Sequence, residues 1–100
     1  MATFIHKHLL PDAGRVIIRL SHPATILSVG YQNTQLVLWA IENPEAAPRD
    51  FAFHVMTTGR QMPAKENGWD QRLEYVGTAQ HQYVQPGPSY VVHVFREIGL

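Results

Sequence analysis

The chain contains no cysteine, so disulfides, thiolate nucleophiles, iron–sulfur clusters and cysteine-ligated zinc are excluded in one step. It has no excess of either charge: eight Lys and Arg balance eight Asp and Glu over 100 residues. Affinity for a nucleic-acid duplex comes mainly from accumulated cationic contacts, so a neutral chain argues against a duplex partner and equally against an acidic mimic of one. No apolar run approaches the roughly 20 residues of a membrane-crossing helix. The opening MATFIHKHLLPD interrupts its short apolar stretch with His6, Lys7 and His8, unlike a signal peptide. A cytoplasmic location without a membrane partner is the simplest expectation. Because a neutral surface offers little repulsion between copies, a homo-oligomer is expected.

Helical periodicity is missing as well. The one stretch of helix-friendly residues, Pro44-Glu45-Ala46-Ala47, gives a single turn before Pro48 ends it. What is present instead is a series of short apolar segments separated by turn residues, with seven glycines and seven prolines to make the turns. Seven strands are predicted: Thr3–Leu9, Arg15–Leu20, Thr25–Tyr31, Gln35–Glu42, Asp50–Thr58, Leu73–Gln80 and Ser89–Glu97. Two of them alternate cleanly. Phe51, Phe53 and Val55 oppose Ala52, His54 and Met56, and Val16, Ile18 and Leu20 oppose Arg15, Ile17 and Arg19. Leu36–Ile41 is apolar on both faces, as for a central strand or one at a subunit contact, with Trp39 as core residue or subunit anchor. Asn33 tolerates left-handed backbone angles, so Gln32-Asn33-Thr34 is read as a tight hairpin turn. The expectation is a single all-β domain over residues 1–100, an antiparallel β-sandwich or partly open barrel.

One segment does not fit the short-loop pattern. Gly59 to Arg72 is polar and carries Arg60, Lys65, Arg72 and Trp69, and loops of this length in compact domains are commonly functional. At its start, Thr57-Thr58-Gly59-Arg60 combines hydroxyls, a permissive glycine and a guanidinium fork, the ingredients of an anion nest. Trp69 could stack on a base. The candidate ligand-binding residues are therefore Thr58, Gly59, Arg60, Lys65, Trp69 and Arg72, with His54 from the adjoining strand.

Six histidines are the other chemical resource. His6-x-His8 puts two imidazoles on one strand face, yet no spacing nominates the third protein ligand that a catalytic zinc requires, so neither a metal site nor a cofactor is assigned. His54 and His93 lie within strands, and facing the same space they could act as a paired acid and base on a phosphodiester. The His-x-Thr/Ser tripeptide of such enzymes is absent. No Gly-x-Ser-x-Gly elbow, Walker loop, Gly-x-Gly-x-x-Gly or His-Glu-x-x-His occurs either. No catalytic residue is nominated, and the chain is read as a non-enzyme.

Several fragments together resemble a group of small proteins encoded by tailed bacteriophages and prophages. They are Ile5-His6-Lys7, Ile26-Leu27-Ser28-Val29 followed by Gln32-Asn33, Leu38-Trp39-Ala40, Thr57-Thr58-Gly59, Tyr75-Val76-Gly77-Thr78, and Val92-His93-Val94-Phe95-Arg96-Glu97. The resemblance spans nearly the whole chain and implies a context, an accessory protein acting in the bacterial host cytoplasm, with no catalytic residues to transfer. Three functions follow as expectations. The first is sequestration, without cleavage, of a small nucleotide-like signal of host defence. The alternatives are a protein-binding inhibitor of a host enzyme and a minor virion or assembly component.

Overall fold

The computed structural model describes residues 2–62, 64–65, 68–69, 72–81 and 90–98. Among these residues nine strands follow in chain order: β1 Phe4–Leu10, β2 Gly14–Ser21, β3 Thr25–Gln32, β4 Gln35–Glu42, β5 Pro48–Thr57, β6 Ala64–Lys65, β7 Gly68–Trp69, β8 Leu73–His81 and β9 Tyr90–Glu97. All pairings are antiparallel. Seven strands form two open sheets, ordered β1-β4-β3 and β2-β5-β9-β8, and β6 and β7 form a two-residue ladder of their own. No helix occurs among the described residues. The protein is all-β, and its sheets do not close into a barrel.

The alternation read from the sequence decides which face of each sheet is buried. In the first sheet Leu10, Leu36, Leu38 and Ala40 turn inward; in the second, Leu20, Phe53, Val55, Val92 and Val94 do. These side chains are essentially inaccessible and form one core between the sheets. Because side chains alternate with a period of two, a one-residue slip of any strand would expose this set. The Asn33 turn lies where expected, closing β3 onto β4 with Gln32 opposite Gln35 and Asn33 at φ 57°.

β4 is central in its sheet, as its two apolar faces require. Trp39, however, is on the outer face, half-buried above Gly30, and not in the core between the sheets. The long segment before β8 is not wholly irregular either, since Ala64 pairs with Trp69 and Lys65 with Gly68.

A buried carboxylate ties the two sheets together. Glu42, at the end of β4 and 3% exposed, accepts the Ser21 backbone N–H of β2 on Oε1 at 2.9 Å. Its Oε2 meets His8 Nε2 at 2.7 Å and His6 Nδ1 at 3.2 Å. Burial opposes ionisation, but the bonds from His8, the Ser21 amide and His6 outweigh it and hold the carboxyl below its usual range. His6-x-His8 thus serves as a pair of donors to Glu42, and no three His, Asp or Glu side chains among the described residues are arranged to hold a metal ion.

At the far edge the sheets approach closely. A Cβ on Gly77 of β8 would lie 2.8 Å from Val29 Cγ2 of β3. Gly77→Ala is therefore expected to lower stability by about 1–3 kcal/mol, and Val29→Ala in the same chain to restore part of the loss. Urea unfolding of the two single variants and the double variant checks this; equal losses with and without Val29 would refute the contact.

Candidate functional site

The outer face of the second sheet carries the concentrated polar chemistry. Register places Arg15 of β2, His54 of β5, Phe95 of β9 and Tyr75 of β8 in one row across the four strands. The next row along is Met56, His93 and Thr78. His54 and His93 are therefore diagonal neighbours on one face, with Cα atoms about 7–8 Å apart by sheet geometry. The period of two in Val91–Glu97 also puts Glu97 on this face, next to His54.

Two hydrogen-bonded groups divide the face. In the first, Glu97 receives Arg15 in fork geometry, Nε to Oε1 at 2.7 Å and Nη2 to Oε2 at 3.0 Å. The same Oε1 meets His54 Nε2 at 2.6 Å. The bonds from Arg15 and then His54 hold the Glu97 carboxyl down to about 2, and the carboxylate in turn raises Arg15. Glu97 therefore remains an anion under ordinary conditions and orients the His54 ring.

The second group is a chain of hydroxyls running through His93. Tyr75 Oη and Thr78 Oγ1 are 2.6 Å apart, Thr78 Oγ1 lies 3.0 Å from His93 Nδ1, and His93 Nε2 lies 2.8 Å from Thr58 Oγ1. Thr58 Oγ1 donates to the Val91 carbonyl at 3.3 Å. One proton order satisfies every link: Tyr75 donates to Thr78, Thr78 to Nδ1, and Nε2–H to Thr58. Tyr75 is 58% exposed, so the chain opens to solvent at the phenol.

A model of the family described as a domain of unknown function, DUF7352, matches residues 1–99. The chain belongs to the DUF7352 family. No curated protein and no solved structure matches it.

In this DUF7352 domain the candidate residues named from the sequence separate. Thr58 and His54 lie on the described face, and Arg60 borders a depression of about 420 Å³ shared with Gly14 and Met56. Gly59, at φ 91°, supports a turn in which Arg60 N–H bonds the Thr57 carbonyl at 3.0 Å, while Thr58 N–H bonds Val91 O at 2.9 Å. The Thr58 and Arg60 amides are thus consumed by the fold, which leaves the segment's side chains as its main offer to a ligand. Arg72 precedes Leu73, which pairs with Glu97, whereas Thr58 bonds His93, the partner of Thr78. The intervening strand, about 17 Å at roughly 3.4 Å per residue, sets Arg72 at the opposite end from Thr58 and Arg60. The side chains of Lys65 and Trp69 lie outside the described residues.

Arg15, Tyr75, Thr78 and Glu97 were not nominated from the sequence. Alternation in Arg15–Leu20 and Val91–Glu97 marks Arg15 and Glu97 as outward, but their meeting depends on β2 and β9 both flanking β5, which no local pattern reveals.

The depressed Glu97 sets a pH dependence. A group whose folded pKa is lowered contributes stability that is present above its unfolded value, near 4.5, and is lost as the pH falls toward about 2. Urea midpoints should thus fall between pH 4.5 and 2. Glu97→Gln should lower the midpoint above this range and flatten the fall, with Glu42 supplying the remaining slope; an unchanged acid profile in Glu97→Gln would refute the assignment.

Proposed function

We propose that this protein is a non-enzymatic binding module that captures a small nucleotide-like anion on the outer face of its four-stranded sheet and leaves it intact. The observation that carries this reading is the ordered donor chain Tyr75–Thr78–His93–Thr58, exposed beside Arg60 and the Arg15–Glu97–His54 group. On capture the exposed hydroxyls of this chain turn from their internal partners to phosphate oxygens, with Arg60 beside them, and the Tyr75 ring, packed edge-on against Phe95 at 5.8 Å between centroids, supplies a surface for a base. Sequestration is favoured over turnover because each imidazole is already engaged within the fold, His93 by two threonine hydroxyls and His54 by Glu97.

The resemblance to phage and prophage proteins supplies the biological setting of this proposal, an accessory protein that removes a signal of host defence in the bacterial cytoplasm. Self-association fits the same reading: Ile5 and Leu9 of β1 are 64% and 58% exposed, on the face that also carries the half-buried Trp39. A second reading, hydrolysis of a phosphodiester by His54 and His93, draws on their diagonal placement on one face.

Thermal unfolding against cyclic dinucleotides, cyclic oligonucleotides and ADP-ribose derivatives, followed by mass spectrometry of each mixture, tests the proposal. A ligand at about 100 times its Kd adds roughly 2.7 kcal/mol, several degrees for a domain of this size. The expected result is such a shift with the ligand recovered intact, abolished in His93→Ala and reduced in Thr58→Val. Breakdown of the ligand would favour the hydrolase, and no shift with any nucleotide would overturn the assignment of this face.

A further inference from the structure

A second site lies where β9 ends alongside β5. The ladder between these strands runs from Thr57 opposite Val92 to Phe53 opposite Arg96. The Pro48–Ala52 part of β5 continues beyond it, leaving a notch capped by the His22–Ala24 connection. The notch is a cleft of about 520 Å³, walled by Ile17, Pro23, Ala24, Phe51 and Ile98. Arg96 lines it with its guanidinium over the Phe51 ring, 5.3 Å from the centroid. Arg96 also borders a second cavity of about 300 Å³ on its other side.

Among the described residues, the charges lining this cleft do not cancel. Arg15, Arg49 and Arg96 line it, as do Asp50 and Glu97. Glu97 is committed to Arg15 and His54, and Asp50 pairs with Arg19 at 3.4 Å. Among the described residues, Arg49 and Arg96 have no carboxylate within ion-pair distance. Arg96 Nε is moreover buried without a hydrogen-bond partner there. A buried donor left unmade costs free energy, more so on a charged group, and native proteins keep few such atoms. Here the group is held flat against an aromatic ring at the wall of an open cleft.

We propose that this cleft binds a small oxyanion carried on a flat apolar body, a phosphate or carboxylate attached to an aromatic ring, with the guanidinium groups of Arg96 and Arg49, which line the cleft, holding the anion. The guanidinium fork stays rigid on Phe51 and suits a two-oxygen acceptor, while Pro23, Ile17 and Ile98 cover the ring. The site is separate from the His93 face, with the Arg15–Glu97 pair between the two.

The test titrates the full chain with phenyl phosphate, benzoate and neutral phenol, following backbone and arginine Nε–Hε resonances by NMR. Phenyl phosphate is expected to shift the Arg96 Nε–Hε signal and the amides of Phe51 and Ala24, and benzoate to do so at higher concentration. Arg96→Met should weaken phenyl phosphate about tenfold without lowering Tm, since it removes an unpaired guanidinium and keeps the packing. Arg49→Gln, at an exposed position, should weaken it about threefold, and His93→Ala should leave it unchanged. Should Arg96→Met fail to fold, Arg49→Gln and the Arg96 resonance still decide. An Arg96 signal unmoved by saturating phenyl phosphate, equal binding by phenol, or unaltered affinity in the arginine variants would overturn the proposal. Loss of binding in His93→Ala alone would overturn it too, by assigning the anion to the other face.

Discussion

The Glu42 carboxylate is buried in the seam between the sheets, and much of the architecture depends on its being satisfied there. A buried carboxylate is costly unless its lone pairs are filled. This one is filled by a backbone amide from the second sheet and two imidazoles from the edge strand of the first. The arrangement pins the end of β2 against the end of β4 and holds β1 in register, with His6 and His8 opposite Ala40 and Leu38. Any shift of β1 by one residue would withdraw both histidines and leave the carboxylate short of donors inside the core. The apolar contacts between the sheets provide the bulk of the stabilisation, being non-directional and extensive; Glu42 adds the directional constraint that selects one register.

With the strand ends pinned, the parity of every residue follows, and parity places the chemistry. Val16, Ile18 and Leu20 face the core, so Arg15 must face out; Val92 and Val94 face the core, so His93 and Glu97 must face out. The second sheet thus becomes a two-sided object, hydrocarbon toward the first sheet and hydrogen-bonding groups toward solvent. Its polar face is pre-organised, since His54 is oriented by Glu97 and His93 by Thr78 and Thr58. Rigid placement of donors on strands lowers the ordering cost of binding an anion. Where β9 stops short of β5, the two-sided arrangement fails, and Arg96 is left at the mouth of the sandwich with a ring for a partner and, among the described residues, no carboxylate within ion-pair distance.

Much of the fold was legible because strand periodicity is a local property. The alternation in β2 and β5, the doubly apolar β4 and the left-handed Asn33 all follow from neighbours in sequence, and all stand in the structure. The candidate site was legible only in part. Thr58 and His54 are on the polar face, but proximity in sequence groups Arg72 with Arg60 at the two ends of one segment, whereas the antiparallel path of β8 carries Arg72 to the far end of the sheet. The Thr57–Arg60 motif contains the residue types of a nest, yet two of its amides, those of Thr58 and Arg60, are claimed by β9 and by a turn.

By itself, then, the sequence determined what depends on covalent neighbours: strand rather than helix, which side chains share a face within a strand, where the chain turns, and the exclusion of thiol chemistry. Tertiary structure decided what depends on strand order. It brought Arg15, His54 and Glu97 together from strands far apart in the chain, threaded His93 between Thr58 and Thr78, and made His6 and His8 donors to a carboxylate on another strand. The physical reason is that a strand satisfies only half of its hydrogen-bonding and burial within itself. The other half is supplied by whichever strands come to lie beside it, and period-two patterns are too much alike to say which those will be.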